Sequence, residues 1–332
     1  MTPAIEFANV TKRYGAVEAL RGVSFSVAPG EMFGLIGPDG AGKTTAIRTI
    51  CGLVHADGGR VRVLGKDPVA EHRAITGTVG YLSQRFSLYG DLSIDENIAF
   101  FAEIHGVRDY RARRDRLLDM TQLTPFRARL ADQLSGGMKQ KLALACTLVH
   151  EPRVILLDEP TTGVDPVSRR EFWKLLSQFL AQGITILMST PYLDEAERCS
   201  RIVLLHEGRV LALDEPGALR ASLPGTLLEV LVAAPGEALR ALKGPGGVTS
   251  AQVFGDRLHV WSALTTAADA ATEFAAVAAR AGVHPAGVRA IVPSLEDVFI
   301  AKLDSPASTV AKATADRKAG RHIEPSTEIA GS

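Results

Sequence analysis

The sequence predicts an α/β protein, a parallel sheet with both faces covered by helices, followed by a smaller α+β unit. Three observations carry that prediction. Short apolar runs at residues 31–36, 154–157, 185–188 and 202–205 read as buried strands and alternate with helical patterns. The first of them leads into Gly37-Pro38-Asp39-Gly40-Ala41-Gly42-Lys43-Thr44-Thr45, and a helical pattern follows at residues 43–51. That strand–loop–helix context is the one a phosphate-binding P-loop requires. Beyond residue 226 the order changes to strand, helix, strand, strand, helix, strand, which suggests a ferredoxin-like arrangement.

The elements can be taken in order. Residues 5–10 read as a strand, and residues 23–27 alternate apolar residues with Ser before Pro29-Gly30 makes a turn. Residues 78–82 form another short strand, ending at Ser83-Gln84. From residue 86 to residue 150 the pattern is helical. Ser93, with Glu96 three residues on, marks the start of a helix through Ile104. Residues 111–120 give a second helix. A third opens at Leu134-Ser135-Gly136-Gly137-Met138-Lys139-Gln140, where Leu142, Leu144, Ala145 and Leu148 recur at helical spacing. A helix over residues 167–180 lies between the strands at 154–157 and 185–188. The first domain is expected to span residues 1–220, with its helical subdomain at about 86–150.

A seam at Pro224-Gly225 introduces the second domain, expected at residues 226–304. Strands are predicted at 227–232, 248–254, 257–261 and 287–292, and helices at 236–242 and 265–281. Residues 305–332 are rich in Ala, Ser, Thr, Lys and Pro without periodicity and are expected to be a disordered tail.

Composition narrows the function. The 332 residues carry 37 basic and 37 acidic side chains, so the basic excess of a nucleic-acid binder is absent. Residues 108–116 are locally basic, but Asp109 and Asp115 interrupt them, as on a solvated helix face. Cys51, Cys146 and Cys199 are odd in number and far apart, which points to reduced structural thiols rather than a disulfide framework or a metal site. His206 reads as a packed or turn histidine. No apolar run reaches the ~18 residues of a membrane span, and no basic head with an apolar core suggests a signal peptide.

The chemistry sits in three motifs. In the P-loop, glycines let backbone N–H groups surround phosphate oxygens, and the following helix adds the positive end of its dipole. Lys43 would reach the β- and γ-phosphates of ATP, and Thr44 would place its hydroxyl on Mg²⁺. Asp158, at the C-terminal end of an apolar strand, is placed to hold Mg²⁺, and Glu159 to act as general base toward the attacking water. Ser135, Gly136 and Gly137 open a helix with a capping hydroxyl and exposed amides, a second anion site.

In this order, the three motifs resemble the nucleotide-binding subunit of an ABC transporter, over about residues 5–213. The resemblance implies a P-loop ABC ATPase core with a helical subdomain, cofactors ATP and Mg²⁺, and two protomers that sandwich nucleotide head to tail. The Ser135–Gln140 signature would then meet the γ-phosphate held by the opposite protomer. Tyr14 matches the aromatic residue that stacks on adenine, with a plain strand-end tyrosine as the alternative. Gln84 matches the glutamine that senses Mg²⁺ and the γ-phosphate. Phe86-Ser87-Leu88-Tyr89 is apolar for a loop and suits either a groove for a membrane partner or core packing. Asp165, in Thr162-Gly163-Val164-Asp165, suits a dimer-crossing loop or a helix cap. Ser294-Leu295-Glu296-Asp297-Val298-Phe299 looks like the extension of daunorubicin-type ATPases of ABC-2 exporters. The partners implied are integral-membrane permease subunits and a second ATPase protomer, identical or different. No nucleic acid is among them, and the implied location is the inner face of the cell membrane.

One residue departs from the pattern. The family's switch histidine should precede x-x-x-Glu-Ala, and the run here is Thr190-Pro191-Tyr192-Leu193-Asp194-Glu195-Ala196. Proline has neither an imidazole nor an N–H with which to bond the γ-phosphate. A motor subunit of an exporter for a small molecule or lipid is the leading expectation. A regulatory or degenerate half of an asymmetric pair is the alternative. A soluble ABC protein acting on ribosomes or DNA would carry duplicated cores or basic surfaces, which this chain lacks.

Overall fold

The structure, a computed structural model, describes residues 2–84, 87–243 and 250–304. The chain divides into two compact units between Pro216 and Gly217.

The first unit contains β1 (Ile5–Tyr14), β2 (Val17–Val27), β3 (Met32–Ile36), α1 (Lys43–Ile50), β4 (Gly58–Val63), α2 (His72–Thr76) and β5 (Val79–Leu82). The helical segment follows with α3 (Ile94–Ile104), α4 (Arg111–Thr121) and α5 (Gly136–Leu148). The chain then returns to the sheet through β6 (Val154–Asp158), α6 (Pro166–Ala181), β7 (Thr185–Thr190), α7 (Leu193–Ala196), β8 (Arg201–His206) and β9 (Arg209–Asp214).

Six strands form the main sheet in the order β5-β6-β7-β3-β8-β9. Pairing is parallel from β5 to β8, and β9 is antiparallel to β8. Every residue of β3, β6 and β7 is buried, which is why these strands read as continuous apolar runs rather than alternating ones.

The structure corrects the expectation of one parallel sheet at its N-terminal end. The strands at the start of the chain pair with β4 in a separate antiparallel sheet, ordered β2-β1-β4. Both outrun their apolar patterns. Polar residues at the far end of β1 stay in the ladder because Lys12 Nζ lies 2.8 Å from Asp57 Oδ1 and Arg13 pairs with Glu18. Stacked rings of Phe7, Phe25 and Phe33, with centroids 4.9 and 5.4 Å apart, bind this sheet to β3.

In the helical segment, the predicted capping box of α3 is present. Glu96 N donates to Ser93 Oγ at 3.2 Å, and Ser93 N donates to Glu96 Oε2 at 2.8 Å. Asn97, fully buried, is satisfied by bonds to the backbone of Tyr89, Leu92 and Ser93. Arg113 and Arg116 pair with Glu151, and Arg114 with Asp95 and Asp115; Arg116 is exposed, as a solvated helix face requires, whereas Arg113 and Arg114 are half-buried.

α8 (Pro216–Ala221) begins at the last residue of the first unit, and the second unit continues with β10 (Thr226–Leu231), α9 (Pro235–Leu242), β11 (Ser250–Phe254), β12 (Arg257–Ser262), α10 (Ala267–Arg280), β13 (Gly287–Ile291) and α11 (Leu295–Asp304). The sheet order β11-β12-β10-β13, antiparallel throughout, is the ferredoxin-like topology expected from the element order. Leu228, Val230, Leu258, Val260 and Phe274 form its core. Helix α11 is additional. Asp297 Oδ2 accepts from Ser294 N at 2.8 Å as a second capping box, and Asp297 Oδ1 lies 2.7 Å from His259 Nδ1 on β12. The expected tail at 305–332, Phe86, and the first two residues of the strand expected at 248–254 lie outside the described residues. Among the described residues, no helix is long and apolar enough to cross a membrane.

Candidate nucleotide site

Strand β3 delivers the chain to the P-loop, and α1 carries it away. Two glycines are required there by space. A Cβ on Gly37 would lie 2.2 Å from Leu205 O, and one on Gly42, where φ is +102°, would lie 2.5 Å from Ala19 O. No side chain caps α1, so its first-turn amides remain for an anion.

Lys43 is buried and curls back over the loop. Its Nζ donates to Gly37 O at 2.8 Å and Pro38 O at 3.1 Å, and lies 3.0 Å from Glu159 Oε1. Glu159 follows β6 in the left-handed region, with φ +48°. Its N–H is held by Ser189 Oγ at 3.0 Å, and its Oε2 accepts from Gln84 Nε2 at 3.0 Å. Asp158 is buried one residue earlier. Its Oδ1 accepts from Thr44 Oγ1 at 3.1 Å and Ser189 Oγ at 2.7 Å.

A cavity of about 680 Å³ gathers Tyr14, Asp39, Gly40, Ala41, Gly42, Lys43, Thr44, Thr45, Gln84 and Glu159. These residues are dispersed over the sequence and were all expected to serve one nucleotide. The volume is in the range of small-molecule and cofactor sites. Free amides with a buried lysine suit a polyphosphate, and the hydroxyl, carboxylate and amide oxygens of Thr44, Asp158 and Gln84 suit Mg²⁺. Tyr14 is half exposed at the end of β1, open to a ring stacking on it. Gly37 and Pro38 do not line the cavity but anchor Lys43 through their carbonyls.

The signature lies elsewhere. Ser135 caps α5 by accepting from Met138 N at 3.3 Å and is exposed with Gly136. Gly137 is buried, and a Cβ there would lie 2.2 Å from Ser168 Oγ. Gln140, expected with the nucleotide-binding residues, is fully buried. Its amide donates to Pro160 O and ties the signature helix to the loop after Glu159. Asp165 caps α6, accepting from Val167 N and Ser168 N at 3.0 Å.

Sequence reasoning missed Val17, Glu18, Ala19, Arg21 and Glu207, which also line the cavity. It also missed Ser189, the hydroxyl between Asp158 and the Glu159 backbone. None stands in a Gly-rich or acidic motif, and only the pairing of β3 with β7 and β8 brings Ser189 and Glu207 to the P-loop.

Comparison with known proteins places this geometry in a family. The ABC transporter family matches residues 20–162. Over 302 residues the chain is 36% identical to the daunorubicin resistance ATP-binding protein DrrA2 of Streptomyces coeruleorubidus, covering 90% of this chain and 94% of that one. The chain belongs to the ABC transporter ATP-binding proteins. This ABC cassette is also 44% identical over 238 residues to the probable multidrug ABC transporter ATP-binding protein YbhF of Escherichia coli (strain K12), across 70% of this chain. It spans only 41% of the length of that relative. Among solved structures, an ATP-binding subunit of an ABC transporter superposes with a TM-score of 0.61 at 32% identity, over 66% of this chain and 92% of the other. A dimeric post-hydrolysis state of the cassette MJ0796 bound to ADP and Pi superposes with a TM-score of 0.58 at 26% identity, over 64% and 98%.

Proposed function

We propose that this chain is the ATP-hydrolysing motor subunit of an exporter, acting with a second ATPase protomer on a separate permease at the inner face of the membrane. The observation that carries the reading is the meeting of Tyr14, the P-loop, Gln84 and Glu159 around one cavity. The names of DrrA2 and YbhF favour drug-like cargo.

The residues suggest how turnover is gated. Lys43 is paired with Glu159, the carboxylate that would serve as general base. Phosphate oxygens of ATP compete for Lys43 and release Glu159 toward water. Thr44, Asp158 and Gln84 would hold Mg²⁺, which would supply charge neutralisation at the phosphates. Ser135 and Gly136 are exposed and offer their helix N-terminus to the nucleotide of the opposite protomer. Closure of the pair on ATP would drive the permease, because ATP favours the closed state differentially.

Pro191 supports a second reading, in which this chain is the weakened half of an asymmetric pair. Hydrolysis by the purified chain, beside Glu159→Gln and Pro191→His, separates the two. Turnover that Glu159→Gln abolishes sustains the motor. No turnover in the wild type, with activity appearing in Pro191→His, sustains the degenerate half. Where the wild type is active, Pro191→His is expected to raise the rate by about tenfold or more, with little change in nucleotide affinity.

A further inference from the structure

A buried carboxylate outside the nucleotide cavity joins the loop that carries Glu159 to the turn that carries Pro191. Glu195 sits on the single-turn helix α7 and is 1% exposed. Its Oε1 accepts from Thr161 Oγ1 at 2.6 Å, and its Oε2 accepts from Thr190 Oγ1 at 2.7 Å. Arg169 Nε on α6 lies 3.5 Å from Oε1, and the Arg169 guanidinium lies over the Tyr192 ring at 4.9 Å. Thr161 is two residues past Glu159, and Thr190 immediately precedes Pro191.

The bonds have one direction. Each threonine has a single hydroxyl proton, and both protons point at Glu195. Thr190 Oγ1 in turn accepts from Tyr192 N at 3.1 Å. Proline at 191 has no N–H to give, so this bond closes the turn across it. A buried anion is costly unless it is fully hydrogen-bonded and faces a cation. Each oxygen of Glu195 accepts one hydroxyl and Oε1 faces the Arg169 guanidinium, so the carboxylate is compensated by groups that fix two loops against each other. Glu159 lies two residues before Thr161 on the loop so fixed. Its backbone sits in the left-handed region, and its N–H is held from the β7 side by Ser189.

We propose that Glu195 is a positioning residue for ATP hydrolysis. It sets the distance between the Pro191 turn and the loop at 159–162, and so keeps Glu159 aimed into the cavity where the usual histidine is missing. This rests on the ATPase reading above. Glu195 does not line the cavity, so nucleotide binding should be indifferent to it.

The test uses the full chain. Glu195→Gln keeps the shape and removes the charge. It is expected to lower kcat by about tenfold to a hundredfold, as small misplacements of reacting groups do. KM for ATP and affinity for a non-hydrolysable ATP analogue should stay within about twofold, since those contacts are unchanged. Amides of residues 161–164 should exchange with deuterium faster, while those of β6 and α6 do not. Thr161→Val and Thr190→Val, which preserve volume, should reproduce the loss, and the Ser variants should not. A Glu195→Gln variant with wild-type kcat and unchanged exchange at 161–164 overturns the proposal. So do valine variants with full activity. If the wild type turns over no faster than Glu159→Gln, the ATPase reading fails by itself. Exchange at 161–164 then decides the clamp alone, with faster exchange sustaining it and unchanged exchange ending it.

Discussion

Lys43 and Glu159 are both buried and stand 3.0 Å apart, so each is the other's main protection from an uncompensated charge. Removing one partner of such a pair costs far more than removing both. Lys43→Met is therefore expected to destabilise the nucleotide-free chain by on the order of 3 kcal/mol. The double variant Lys43→Met/Glu159→Gln should recover most of that, read as urea midpoints. Equal losses in the two would show that water entering the cavity already screens the pair. At this scale the motif residues were legible, because P-loop and strand-end acid chemistry depends on residue type and spacing. The roles of Ser189 and Glu195 were not. A serine in an apolar strand carries no local signal, and Glu195 was legible only as a member of the Glu-Ala run, its tie to Thr161 being across 34 residues of sequence.

The ends of α3 and α5 meet through two imidazoles. His105, which ends α3, stacks on His150 just past α5, with centroids 3.8 Å apart and ring planes 8° from parallel. His150 Nε2 lies 3.3 Å from Val79 O, and its buried Nδ1 has no partner among the described residues. Burial, reinforced by His105 and Arg113, lowers the His150 pKa from 6.5 to about 4. Between those values the unfolded chain binds more proton than the folded one, so stability falls as pH drops through that window and levels off below it. Urea midpoints at about pH 7 and about pH 5 should differ in the wild type and differ less in His150→Gln. His105, whose pKa burial also lowers, contributes to the remaining difference. The helices themselves were readable from Ser93 and Glu96 and from apolar spacing. β4 and β9 were not, because Gly58-Gly59-Arg60 and the half-buried residues 210–213 give no clean alternation. Those strands exist because β1 and β8 offer them an edge.

Across the whole molecule, all three cysteines are free and buried. Burial pushes the Cys51 and Cys199 thiols up to about 12 and raises Cys146 as well. Thiolate is the reactive form, so a maleimide should leave the native protein unlabelled near neutral pH and modify all three sites in denaturant. Rapid labelling of the folded chain would contradict the packing around α1, α5 and β8.

The sequence by itself determined the P-loop, the acidic strand end, the signature helix, the strand and helix order of the C-terminal part, and the proline at 191. Each is a local arrangement of residue types whose chemistry or periodicity can be read without knowing the neighbours. Tertiary structure alone decided that the first strands leave the parallel sheet for one of their own. It alone placed Glu18, Arg21 and Glu207 at the P-loop, turned Gln140 inward, and set Glu195 between Thr161 and Thr190. Such contacts depend on strand pairing across long sequence separations. The free energy of that pairing comes from the whole buried core, so no window of the chain carries its trace.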